Sequence, residues 1–151
     1  MKASTRMCAF VFTLLLPLCS LASEGVMTFE SNHSVADTAD RLVVALEEKG
    51  MTVMNRISHT DNAASVGLEL RPTELVIFGN PKVGTALMQC SQRVAIDLPQ
   101  KALIWEDEAG QVWLGFNDPT YLDQRHGIEG CDKVLKKVSG ALGKFANAAT
   151  R

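Results

Sequence analysis

Just two stretches of this chain repeat apolar residues at helical spacing over several turns. Val35, Ala39, Leu42, Val43 and Leu46 make one stripe; Val134, Leu135, Val138, Leu142 and Phe145 make the other. The segments before and between them are short and alternate in the manner of strands. Two helices can cover one face of a sheet and no more. The pattern therefore predicts an α+β fold of two layers, a mostly antiparallel sheet under two longer helices, with the second sheet face left to a partner, a ligand or water.

Local signals place the elements. Val26 to Glu30 reads as a first strand. Ser34 caps the first helix with Asp37 three residues on, and Gly50 ends it behind Lys49. Met51 to His59 alternates as a strand, with Met51, Val53 and Ile57 on one face, Thr52, Arg56 and Ser58 on the other, and His59 at its end. Asp61 to Ala64 reads as a turn or a single helical turn, and Thr73 to Phe78 as a buried strand that Pro72 precedes. Asn80 caps a helix whose first residue is Pro81. Ala102 to Glu106 and Val112 to Asn117 form a hairpin with Trp105 and Trp113 near its middle. Pro119 to His126 is a connecting loop or short helix, and the last helix runs from Cys131 to about Ala146, weakened by Gly140 and Gly143.

Lys2 and Arg6 precede an apolar run, Met7 to Leu18, and a small-residue stretch ending at Ala22. This predicts a secretory signal peptide, residues 1–22, and a periplasmic or secreted domain, residues 23–151. The run is shorter than the ~20 residues that span a bilayer, so no membrane span is expected in the mature chain. Leu18 before Cys19 argues against a lipid anchor, since such signals want a small residue there. Removing the leader takes away Lys2 and Arg6, leaving 13 basic and 17 acidic residues and a net charge of −4. Basic residues cluster only at Lys133, Lys136 and Lys137, on an outer helix face, so no nucleic-acid partner is expected. Two cysteines remain, Cys90 and Cys131, in a compartment where a disulfide persists, and a bridge between them is expected.

Gly79-Asn80-Pro81-Lys82-Val83-Gly84 has the glycine spacing of a phosphate-binding loop and follows a strand. The position after Gly84 should be the lysine that reaches the terminal phosphates; it is Thr85, and Pro81 removes a backbone donor. What remains is a helix start with Lys82 in its first turn, where a cation opposes the helix dipole. Either a nearby acid, Asp118 or Glu74, neutralises it, or an anionic ligand does.

The runs Arg56-Ile57-Ser58-His59 with Asn62-Ala63-Ala64, Arg71-Pro72-Thr73-Glu74-Leu75, Phe78-Gly79-Asn80-Pro81-Lys82, Ile96-Asp97-Leu98-Pro99, Trp105-Glu106-Asp107, Asn117-Asp118-Pro119 and His126-Gly127 occur in this order between Met27 and Ala146. In them the chain resembles the domain-of-unknown-function 302 family. The resemblance implies a TATA-binding-protein-like β-α-β4-α sheet with helices on one face, and no DNA binding. Some relatives carry one cysteine beside the Asn-Pro pair and another after the Leu-Pro pair; Gly79 and Gln100 stand there in this sequence, so that thiol site is not carried over.

Carried over residue by residue, the resemblance singles out His59, Asn80, Lys82, Asp97, Asn117, Asp118 and His126 as ligand-binding candidates. The expected function is a non-catalytic binding domain for a small, anionic ligand or a protein partner, acting as a homodimer without a cofactor. An enzyme with His59 or His126 as general base, oriented by Asp97 or Asp118, is the first alternative. A metal-binding protein with Met54 and Met88 as soft ligands is the second, against which the histidines show no paired H-x-x-x-H spacing.

Overall fold

In a computed structural model of the chain, residues 25–151 are described; the predicted leader, with Cys8 and Cys19, lies outside them. Five strands form one sheet: β1 (Val26–Ser31), β2 (Thr52–Ser58), β3 (Thr73–Gly79), β4 (Gln100–Glu106) and β5 (Val112–Asn117). Their order is β1-β5-β4-β3-β2, and every neighbouring pair is antiparallel. Helices α1 (Val35–Glu48), α2 (His59–Ser65), α3 (Pro81–Cys90), α4 (Pro119–His126) and α5 (Asp132–Thr150), and a 3-10 turn (Gln92–Ile96), complete the described residues.

The two amphipathic stripes become α1 and α5, which lie together on one sheet face. Ser34 caps α1 through its hydroxyl, which accepts from the Asp37 amide at 3.1 Å and donates to the Asp37 carboxylate at 2.8 Å. Leu42 and Leu46 of α1 and Leu142 and Ala146 of α5 meet Val76, Phe78, Ile104, Leu114 and Phe116 in the main core. Arg41 donates to the Ala148 and Ala149 carbonyls at the C-terminal end of α5, a cation where that helix leaves acceptors unpaired.

A second, smaller core gathers Leu87, Val94, Ile128, Cys131 and Leu135 beneath α3 and the 3-10 turn. The expected Cys90–Cys131 disulfide is formed there and ties the end of α3 to the start of α5.

Three expectations change. A β-bulge between Val53 and Asn55 shifts the register of β2, so Val53 faces the helices beside Phe78 while Ile57 points to the open face beside Leu75. Simple alternation had put Val53 and Ile57 on one side; one extra residue in the strand reverses every side chain beyond it. His59 does not extend β2 but opens α2, capped by the Ser58 hydroxyl accepting from Asp61 N at 3.0 Å. The last helix runs past Ala146 to Thr150, because Ala149 and Thr150 are buried against the rest of the fold.

Gly140 and Gly143 sit inside α5 with nothing within 4 Å of where a Cβ would stand. Alanine at Gly140 is expected to stabilise the fold by about 0.5–1 kcal/mol, through helix propensity and a less flexible unfolded chain. A urea midpoint unmoved or lowered in the variant contradicts this.

Candidate functional site

Register decides which candidates meet. Phe78 lies opposite Gln100, Ala102 opposite Phe116, and Phe116 opposite Met27. The end of β3, the start of β4, the end of β5 and the start of β1 therefore share one end of the sheet. Asn80, Lys82, Asp97, Asn117, Asp118 and His126 all come to that end. His59 does not: it follows β2 at the opposite end, about 20 Å away along a strand of this length. The two histidines share no pocket.

Asn80 and Asp118 do the same local work. Each ends a strand, precedes a proline at the first helical position and accepts a backbone N–H in its side chain, Asn80 from Lys82 at 3.0 Å and Asp118 from Thr120 at 2.8 Å. In α3 the next two amides, Val83 and Gly84, bond the Asn80 carbonyl at 3.0 and 2.9 Å. The glycine-spaced loop is thus a capped helix start whose first-turn donors at Lys82, Val83 and Gly84 are used within the chain, so an anion there would have to be held by side chains.

Lys82 itself is exposed, and among the described residues no carboxylate lies within 4.0 Å of its ammonium. Neither acid offered for it serves. Glu74 accepts from Arg56 at 2.5 Å, a pairing that, with Asp40 at 2.7 Å, raises the guanidinium above its ordinary range; Asp118 is taken up as a cap.

Asp97 and His126 do meet. His126 is buried, and its Nε2 lies 2.5 Å from Asp97 Oδ2. Arg125 Nη1 donates to the other oxygen at 3.1 Å, and Lys101 Nζ donates to the Asp97 carbonyl at 3.1 Å. The Ser91 hydroxyl donates to the His126 carbonyl at 3.1 Å. The family pattern missed Arg125, Lys101 and Ser91. The signal for the first two was adjacency: Arg125 precedes His126, and Lys101 follows the Leu98-Pro99 pair by two. This cluster fastens α4 to the 3-10 turn. Replacing His126 with alanine leaves Asp97 Oδ2 without its partner in a half-buried site, with only Arg125 on the other oxygen, and is expected to cost about 1–3 kcal/mol, read by urea denaturation, with Asp97→Ala costing a similar amount. A double variant that loses the sum of both would disprove the coupling.

A further polar group was not foreseen as a ligand contact. Gln100, at the start of β4, is 7% exposed, and among the described residues neither Oε1 nor Nε2 of its amide has a hydrogen-bond partner. A buried orphan amide is costly and calls for an explanation. Among the described residues no group of three or more His, Cys, Asp or Glu is placed to hold a metal ion. Met88 packs in the second core, and half-exposed Met54 lies at the β2 bulge.

A five-stranded antiparallel sheet with its helices on one face, closed at one end by proline-started helices, is the α+β class these observations define. The chain belongs to the family described as domain of unknown function DUF302, whose model matches residues 27–145. A crystal structure of an uncharacterised conserved DUF302 protein from Bacillus stearothermophilus superposes with a TM-score of 0.76 at 19% identity, covering 85% of this chain and 100% of that one, which shows the shared fold. Proteins named fluoride-specific ion channel FluC 1 from Brucella suis biovar 1 and FluC 2 from Brucella melitensis biotype 1 are each 48% identical over 134 residues. The match takes in 86% of this chain but 53% and 50% of theirs, so the chain spans about half the length of these relatives.

Proposed function

We propose that this is a non-catalytic binding domain of the periplasm or the extracellular space, which takes a small anion at the sheet end formed by Gln100 and Lys82. The Gln100 amide carries the reading. Among the described residues its buried N–H donors lack partners, and at the same end of the sheet the Lys82 ammonium has no carboxylate within 4.0 Å; a small anion would accept from the first and pair with the second. The predicted leader supports the compartment. The Asp97–His126 contact is also the one expected of a general base oriented by a carboxylate, so it carries neither reading, and His59 stands at the other end of the sheet.

The Brucella relatives suggest which anion. They are named as fluoride channels, and this chain matches about half of each. No helix among the described residues is long and apolar enough to cross a membrane, and the sheet here is open. A pore needs spanning helices or a closed barrel. In those relatives a stretch similar to this chain makes up about half of the protein. Fluoride is the first anion to test.

Melting of the purified protein is expected to rise in sodium fluoride relative to sodium chloride at equal ionic strength, by about 2.7 kcal/mol of stabilisation at a hundredfold excess over the dissociation constant. Gln100→Met is expected to stabilise the unliganded protein by about 1 kcal/mol, through removal of an unpaired amide, and to abolish the fluoride response. Lys82→Ala weakens the response. Equal melting in fluoride, chloride, phosphate and acetate, unchanged by either substitution, sinks the reading.

A further inference from the structure

Among the described residues no helix packs on the sheet face turned away from α1 and α5. By the strand registers it presents Ile57, Leu75, Ile77, Leu103, Trp105 and Trp113, side by side across β2 to β5. Leu103, at the centre, is 36% exposed. An apolar area this continuous is unusual on an isolated domain.

Both tryptophans are held in place. A Cβ at Gly115 would stand 3.1 Å from Trp105 Cζ3 and 3.3 Å from Val26 Cγ1, so the Trp105 ring lies across the face where the sheet has no side chain of its own. Trp113 donates its indole N–H to Asp107 Oδ2 at 2.8 Å. Large aromatic rings already fixed in their bound geometry are the anchors of protein interfaces, because little rotamer freedom is lost when a partner arrives.

We infer that this face is the seat of a second copy of the chain, packed sheet against sheet about a twofold axis. Five strands about 4.8 Å apart, each about 23 Å long, project roughly 550 Å². Side-chain relief brings the accessible area to the order of the ~800 Å² per partner that a stable complex buries. Charge favours a copy over an anionic lipid surface. Glu30 and Lys101, the charged residues at open-face register positions, cancel, and Asp107, held on the Trp113 indole at the edge of the face, adds one negative charge that an anionic lipid would repel. The basic cluster Lys133, Lys136 and Lys137 belongs to α5, on the covered side of the sheet. A near-neutral apolar sheet meets its own image without like-charge repulsion, and an isologous contact of this sort closes at two copies. The inference stands apart from the anion reading and does not need it.

Sedimentation velocity of the full chain across the micromolar range tests it, alongside tryptophan emission. The expected result is a dimer whose emission shifts to the red on dilution. Leu103→Glu and Leu75→Arg should each give a monomer with unchanged far-ultraviolet circular dichroism, while Val44→Glu, at a more exposed apolar position on α1, leaves the dimer intact. A wild-type chain that stays monomeric at the highest concentration overturns the proposal. So does a dimer that survives both face substitutions, which places the contact elsewhere. So does a monomer that binds phosphatidylglycerol vesicles and loses that binding with Leu103→Glu, which makes the occupant a membrane.

Discussion

Phe78→Ala is expected to remove about 3–5 kcal/mol of stability, a large share of the ~5–15 kcal/mol typical of a domain this size. Phe78 is fully buried on β3 and meets Phe116 and Phe145 edge-on, with ring centroids 6.1 and 6.4 Å away. It joins the sheet to α5, so truncation leaves a cavity that neither layer can close without moving the other. Phe78→Leu, which keeps most of the volume, should cost far less. Urea denaturation at constant slope is the measurement, and a loss below about 1 kcal/mol for alanine would show that the site collapses freely.

Breaking the Cys90–Cys131 disulfide, by reduction or by serine at both positions, is expected to cost about 3–4 kcal/mol. The bridge spans a sequence separation of 41, and the loop it closes sets that magnitude on the chain-entropy model. The loss should be uneven. The bridge belongs to the second core, small and remote from the sheet, where Cys90 is followed at once by Ser91, the donor to the His126 carbonyl. Amide exchange in α3 and the 3-10 turn should quicken before that in β3 and β4. Identical urea midpoints with and without reductant would falsify the stabilising role.

A smaller effect concerns acid. Asp107 accepts from the Trp113 indole first, and from the Gln111 and Ala109 amides, and these bonds hold its carboxyl below the ordinary range. Its value is lower in the folded than in the unfolded chain, so its contribution is present above the ordinary carboxylate value and lost as pH falls through the folded one. Tryptophan emission should change in that acidic window, and Asp107→Asn should remove the change.

Of the sheet end, the sequence showed the parts more clearly than their assembly. Asn80-Pro81 and Asp118-Pro119 announced two helix starts, because capping is decided within four residues. Lys82 stood out as a cation at the wrong end of a helix. That Asp97 reaches His126, 29 positions on, depends on how the 3-10 turn and α4 come together, and no local pattern carries that information. Arg125 and Lys101 escaped notice for the same reason. The bulge in β2 was invisible as well: one inserted residue changes no propensity, yet it exchanged the faces of Ile57 and Arg56.

Periodicity, caps and the cysteine count belong to the chain alone. They determined two helices over one antiparallel sheet and the bridge between Cys90 and Cys131, since these follow from spacing and from short-range hydrogen bonds. Strand order is a different matter. The antiparallel pairing of β3 with β4 and of β4 with β5 brought six candidates to one end of the sheet, and that of β2 with β3 sent His59 to the other. Among the described residues strand order also left Gln100 buried without a partner and a tryptophan-bearing face that no helix covers. Those are consequences of long-range burial, in which residues far apart are placed by the core they share and not by their neighbours in sequence.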